Sequence, residues 1–243
     1  MTRWWLIPAA LVVAADEARA ADPPVTTYTA TYGVEYKGKQ AGVSDWSVRD
    51  LGDGRYEFQA RITPKGMLKL VRPKPVIERS QFRVEGTHFR PLEYWYEDGS
   101  RSGEDNWHVV FDWERRIATV TTAEARREFA VPNVAIDIGT LKAAVMRDLA
   151  GTKGAPGPYE IADQDGVFTY EYTDSGPATL QTGVGALETQ LFVQRRAGSS
   201  RSTWLWAAPK LNFLPVRIEQ HRNDEVQTSF LLQKVEGLAA SPK

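Results

Sequence analysis

Between residues 28 and 36 every second position is apolar or aromatic (Tyr28, Ala30, Tyr32, Val34, Tyr36), and Thr29, Thr31 and Glu35 fall between them. A two-residue period belongs to a strand with one buried face, so this stretch predicts a strand. The rhythm returns at Tyr56, Phe58, Ala60 and Ile62, with another strand at 43–49 and glycine-bearing turns at 37–42 and 50–54, which makes a meander. Further strands are expected at 76–84, 91–97, 106–113 and 117–122, with a short one at 127–131, and then at 159–162, 167–173, 179–182, 187–195 and 202–207. The clearest hairpin comes last. Val216, Ile218 and Gln220 alternate with charged neighbours, Asn223-Asp224 interrupts, and Val226, Thr228, Phe230 and Leu232 resume the rhythm. Pro215 opens the first of these two strands, where no ladder N–H is needed.

Two stretches break the period. Residues 137–150, DIGTLKAAVMRDLA, carry Leu141, Ala144, Val145 and Leu149 at helical spacing, with Asp137 or Thr140 to cap the start and Gly151 to end it. Residues 66–71, GMLKLV, are short, apolar and cationic between prolines. They predict one helical turn, covering an open barrel end or forming a flap, and short apolar plugs more often serve the core. The expected fold is therefore mostly β: a curved antiparallel sheet or open β-barrel with one covering α-helix over 137–150. Residues 151–158, rich in Gly and Pro, mark either a linker within the domain or the boundary between two half-sheets.

Residues 1–20 predict a signal peptide: Arg3, an apolar run over 4–15, and Ala18-Arg19-Ala20 as a small-x-small cleavage signature near Ala20. The apolar run is too short to span a bilayer and no second run follows, so no transmembrane segment is expected. The remainder, 21–243, is expected to be a single β-rich domain exported to the periplasm. The formal charge of −1 is unchanged by removing the leader, because Arg3 and Arg19 leave with Asp16 and Glu17. No net field favours nucleic acid or an anionic membrane. The absence of cysteine excludes disulfides, thiol catalysis and cysteine-ligated metals.

Candidate chemistry is sparse. The 3 histidines, His88, His108 and His221, lie far apart without metal-ligand spacing, so no metal site and no cofactor is expected. No nucleophile elbow, phosphate loop or dinucleotide fingerprint occurs, and no catalytic residue is assigned. Glu97, Asp98, Glu104 and Asp105 surround a Gly/Ser-rich loop, the raw material for a glycosidase pair or simply a solvated hairpin loop. Arg195, Arg196 and Arg201 form a basic cluster near Ser199 and Ser200, suited to an anion or to a solvated turn. The aromatics carry more information. Tyr94 and Tyr96 share one strand face, Trp107 and Phe111 another, and Trp204 and Trp206 a third; these six are the candidate ligand-binding residues. Such a lining either fills the interior of a β-structure or leaves a cavity for an apolar guest.

The opening Tyr32-Gly-Val-Glu-Tyr36-Lys-Gly-Lys-Gln-Ala-Gly42, the Tyr56-x-Phe58 strand and the Pro91-Leu-Glu-Tyr94 strand form one set of motifs. With them go Trp107-His-Val-Val-Phe-Asp112 and the stretch from Trp204 to Glu219 with Leu214-Pro215-Val216-Arg217. Together they resemble the exported bacterial family of unknown function DUF3108 over nearly the whole chain after the leader. The resemblance implies fold and location and brings no catalytic residues. The strand, Leu-Pro-Val, strand ending is also similar in style to the LolA/LolB-type periplasmic lipoprotein carriers, half-open barrels with a helical lid that hold acyl chains. The chain predicts fewer helices than that group has, so this likeness is architectural.

The expected function is that of a non-catalytic periplasmic binding or envelope-maintenance protein holding a lipid or other apolar small molecule in a β-shell cavity. Two alternatives belong to other classes. One is an envelope enzyme acting on glycans through carboxylates of 97–105. The other is a scaffold for an unidentified protein partner, which requires a large exposed aromatic patch.

Overall fold

A computed structural model describes residues 25–66, 68–151 and 154–238. The expected signal peptide lies outside the described residues. The N-terminal part forms β1 (Tyr28–Tyr36), β2 (Lys39–Gly52), β3 (Arg55–Pro64), α1 (Leu68–Val71), β4 (Val76–Glu85), β5 (His88–Glu97), β6 (Trp107–Asp112), β7 (Ile117–Thr122) and β8 (Arg126–Ala130). Then come β9 (Ile136–Asp137) and α2 (Ile138–Gly151), followed by β10 (Tyr159–Asp163), β11 (Gly166–Thr182), β12 (Gly185–Arg196), β13 (Arg201–Ala208), β14 (Leu214–Arg222) and β15 (Glu225–Glu236). A short 3₁₀ turn, Pro209–Leu211, joins β13 to β14.

All the strands belong to one sheet, in the order β8-β7-β6-β5-β4-β3-β2-β1-β15-β14-β13-β12-β11-β10-β9. Chain neighbours from β1 to β8 and from β10 to β15 pair antiparallel, and only β9 and β10 are parallel. At the β14–β15 turn Asn223 and Asp224 both take left-handed backbone (φ 50 and 62), the conformation that matches the twist of a two-residue hairpin. The β1–β15 ladder, Ala30 opposite Val235 through Tyr36 opposite Thr228, joins the two halves. The sheet coils until its edges approach without pairing. Arg127 Nη2 donates to the Gln164 carbonyl at 3.1 Å, and Ala162 of β10 packs among Tyr94 and Val109 of β5 and β6.

The inner face carries one alternate set along the strands: Tyr32, Trp46, Phe58, Phe82, Leu205, Ile218 and Phe230, all buried. Trp46 links the two halves, with ring centroids 4.9 Å from Tyr32, 5.6 Å from Phe58 and 6.1 Å from Phe230. The Tyr32 hydroxyl, deep in this layer, donates to the Pro215 carbonyl at 2.9 Å, so burying it leaves no orphan group.

Helix α2 starts one residue later than the expected span and ends at Gly151. It covers the concave side of the sheet as expected, and it sits deeper than its stripe required: Ala143 and Met146 are buried as well as Leu141, Ala144, Val145 and Leu149. It is an internal plug, and it fills the space that the sheet's curvature creates. Gly139 permits the close seating: a Cβ there would lie 2.5 Å from the Ser80 Cβ of β4. The expectation for 66–71 is corrected. Leu68 packs against the core margin, but Leu70 and Val71 are 76% and 70% exposed, so α1 projects from the molecule.

β11 is one long strand where the sequence predicts two. Asp174-Ser-Gly-Pro177 has turn composition, yet the strand continues through a bulge: Asp174 faces Phe192 and Pro177 faces Gln190. Asp174 Oδ1 accepts from the Gly176 N–H at 2.8 Å, and the bulge absorbs the missing proline donor.

Gly139→Ala tests the plug. On a solvated helix this change adds about 1 kcal/mol of stability. Here overpacking against Ser80 outweighs that gain, and a net loss of about 1–3 kcal/mol is expected in urea unfolding.

Candidate functional site

The six candidate aromatics divide into two groups on opposite faces of the sheet. Tyr94, Trp107 and Phe111 are buried in a second apolar cluster with Val109, Val120 and Ala162, and Tyr96 packs at its margin. Tyr94 and Tyr96 lie 4.6 and 6.3 Å from the Trp107 ring, and Phe111 stacks on Trp113 at 5.8 Å. Trp204 and Trp206 stand opposite Glu219 and Arg217, while Leu205 between them faces Ile218 of the inner layer. The two tryptophans therefore occupy the outer face, because directly paired residues share a side. Alternation alone showed which residues go together, without showing which group points inward.

The acidic loop holds one buried carboxylate. Asp98 is ion-paired to Arg72, accepts from the Ser100 N–H at 2.9 Å, and is fastened further by its own N–H, which donates to Asn106 Oδ1. Burial pushes the Asp98 carboxyl up, but the Ser100 bonds and Arg72 outweigh it and hold the group below its ordinary value. Glu97, Glu104 and Asp105 are exposed, so the loop does not present two acids across a cleft. The arginine cluster also disperses: Arg195 approaches Asp224 at 3.8 Å, and Arg196 covers the Phe168 ring at 4.1 Å. Among the described residues no group of three His, Asp or Glu side chains is placed to hold a metal.

Two carboxylates lie at the seat of α2: buried Asp137, which the sequence offered as a cap, and half-buried Glu78, which sequence reasoning missed. Asp137 caps the helix, accepting from the Thr140 N–H at 2.7 Å, the Thr140 hydroxyl at 2.9 Å and the Ser80 hydroxyl at 2.8 Å. Burial raises its pKa to about 6 against these hydrogen bonds, and the nearby Glu78 charge adds to the rise. Glu78 is raised by burial too, partly offset by Lys142 and by a hydrogen bond with Tyr94, and its Oε1 has no donor among the described residues. The cap was legible, but the partner strand was not, since nothing in the sequence places Ser80 beside a helix 57 residues away.

The outer face of β11–β13 carries a shallow groove of about 310 Å³ lined by Thr173, Ser175, Leu191, Val193, Arg195 and Trp204. Its tryptophan is braced from the side by the neighbouring strand β14. His221 stacks on Trp204 at 4.7 Å, and His221 Nε2 lies 2.9 Å from Glu219 Oε2, both side chains being buried. Arg217 ion-pairs with Glu219 and sits 5.4 Å from the Trp206 ring centre. A rigid indole, two aliphatic side chains and one cation at the edge suit an apolar group with an anionic end. A second groove of about 230 Å³ is lined by Thr29, Thr31, Asp45, Ser47, Gln59 and Arg61 together with Ala30 and Trp46, so it carries more polar side chains than the first. Of the groove residues the sequence flagged Trp204 as an aromatic binder and Arg195 as part of a basic cluster suited to an anion or to a solvated turn. Leu191 and Val193 share its face, but strand parity becomes informative only after the β12–β13 register is known.

These features define an open, single-sheet β-barrel-like domain with a helical plug and an external aromatic groove. The chain belongs to the family described as protein of unknown function (DUF3108), whose pattern matches residues 27–229. It has no significant match among curated proteins. Among solved structures it is similar to a beta-barrel-like DUF1849 protein from Brucella abortus, at 8% identity and TM-score 0.49 over 87% of this chain and 98% of that one. It is also similar to MucB (11%, TM-score 0.40, 92% of this chain and 57% of that one). A protein of YmcC-like fold from Bacteroides fragilis matches at 12% identity and TM-score 0.34, over 88% and 97%. No helix of the described residues is long and apolar enough to cross a membrane.

The seat of α2 gives stability a defined pH dependence. Asp137 holds its proton more tightly folded than unfolded, so its contribution is fully present below the ordinary aspartate range, about 4. That contribution is lost as the pH rises through about 6. Denaturant unfolding from pH 4 to 7 is expected to show a loss on the order of 3 kcal/mol from this group. Asp137→Asn removes most of that slope, and what persists with the same sign belongs to Glu78 and Asp163, whose carboxyls burial also raises.

Proposed function

We propose that this protein is a non-catalytic, exported binding protein that takes an apolar molecule with an anionic end, such as a lipid acyl chain ending in a carboxylate, in the outer groove at Trp204. The groove geometry carries this reading. It offers an apolar wall from Leu191, Val193 and Trp204, with Arg195 at its edge and enough volume for part of a small ligand. The expected apolar cavity inside the shell is replaced, because α2 and the inner aromatics already occupy that space. An internal guest would have to displace Leu141, Val145, Met146 and Leu149, each losing about 1.5–3 kcal/mol of burial. The carboxylates of 97–105 lack the rigid paired placement that the glycan-enzyme reading needs.

The test is titration with a fluorescent fatty acid. Trp204→Ala is expected to weaken binding at least tenfold, and Arg195→Glu, on a 56% exposed side chain, to weaken it severalfold without loss of fold. A neutral alcohol of the same chain is expected to bind less tightly than the acid. The Ser80→Cys/Thr140→Cys pair, whose parent hydroxyls lie 2.9 Å apart, tethers α2 to β4 in a chain with no other cysteine. Binding that survives this oxidised tether places the ligand outside. Binding that is lost on oxidation and regained on reduction, or that ignores both groove variants, contradicts the proposal.

A further inference from the structure

The most exposed large apolar side chains among the described residues are neighbours: Leu70 at 76% and Val71 at 70%, both on α1. They stand in a stretch with an uncommon charge pattern. From Arg61 to Ile77 there are five cations, Arg61, Lys65, Lys69, Arg72, Lys74 in order, and no acidic residue. Lys65, Lys69 and Lys74 are exposed beside the two apolar tips, while Arg72 turns back to Asp98 and fastens the base of the loop to β5. The Lys74 N–H donates to the Gly99 carbonyl at 3.0 Å, and the Lys65 N–H to the Ala41 carbonyl at 2.7 Å. Through Ala41 the β1–β2 turn, with exposed Lys37, Lys39 and a 48% exposed Tyr36, is brought to the same end of the sheet. The acids of that end are Glu97, Glu104 and the 75% exposed Asp105 on the β5–β6 loop at one flank, with exposed Glu35 and Glu225 on β1 and β15 beside the β1–β2 turn.

Two apolar side chains on a fastened knuckle, surrounded by lysines, match the chemistry of an anionic lipid surface. Aliphatic tips enter the acyl boundary while flexible ammonium groups reach the phosphates around them. A protein partner would leave the lysines without a stated counterpart, and solvent leaves the leucine uncovered. We infer that α1 is a membrane-docking knuckle through which the protein rests on a bilayer rich in anionic phospholipid. The acidic β5–β6 loop, repelled by such a surface, sets the tilt. This surface lies on β3–β4 and is independent of the Trp204 groove.

The test is co-sedimentation of the protein, recovered from cells after its own processing, with phosphatidylcholine vesicles containing or lacking phosphatidylglycerol. Retention is expected to require the anionic lipid and to fall as salt rises. Leu70→Asp with Val71→Asp is expected to reduce partitioning about tenfold or more, since both methyl clusters then stay in water. Lys65→Glu, Lys69→Glu and Lys74→Glu together are expected to abolish the preference for phosphatidylglycerol. All five positions are exposed, and an unchanged melting curve shows that the fold is kept. Absence of retention on anionic vesicles, equal retention on both vesicle types, or retention indifferent to both sets of variants would overturn the inference. Intact groove-ligand binding in the Leu70/Val71 variant would show that docking and ligand capture are separate.

Discussion

Asp137 accepts three hydrogen bonds at once, two from Thr140 and one from Ser80, and so fixes the first turn of α2 against β4. The sheet needs this contact. It coils without closing its hydrogen-bond ladder, and a curved sheet with aromatic residues along its inner face must bury that face against something other than itself. The only long helix among the described residues does so from inside. Gly139 brings the helix within van der Waals reach of Ser80, Asp137 holds the end, and Leu141, Val145, Met146 and Leu149 complete the packing begun by Trp46, Phe58 and Phe82. The cost is electrostatic. Two carboxylates, buried Asp137 and half-buried Glu78, lie close to each other, and both retain protons more readily than in water.

The filled interior is why the proposed recognition lies on the surface. Cavity-type binding needs space that close packing here denies, and the outer face offers a trough whose tryptophan is stiffened from the side. Trp204 is held by the stacked His221, which is held by Glu219, which in turn pairs with Arg217. A braced indole loses little conformational entropy on binding, which makes a shallow groove more effective than its depth suggests. At a different end of the sheet α1 exposes the apolar area that the core does not use.

Much of this architecture was legible in the sequence. Strand alternation is a local property, and it located the meander, the final hairpin with its Asn223-Asp224 turn, and the helix with Asp137 as its cap. The misjudgements share a physical origin. Asp174 to Pro177 has the composition of a turn, yet a turn and a bulge differ only in whether the ladder resumes with the same partner, and the partner strand is remote in sequence. Leu68, Leu70 and Val71 are apolar and suggested a plug, but a four-residue helix can bury only one side, and Leu68 took it. Ala143 and Met146 lie outside the apolar stripe read from the sequence, and their burial is a tertiary event that helical spacing does not show. The binding candidates suffered in the same way: period two grouped Trp204 with Trp206 correctly, while the side of the sheet they occupy depends on how fifteen strands coil.

If α2 is an integral part of the core, its amides exchange with solvent only when the whole domain unfolds. Native-state hydrogen exchange, followed peptide by peptide across a denaturant series, measures this directly. The account predicts that α2 and the β1–β3 strands share one opening free energy and one denaturant dependence. Exchange of α2 at a much lower free energy with a small denaturant slope, while β1–β3 stay protected, would contradict it and return the interior of the shell to consideration as the binding site.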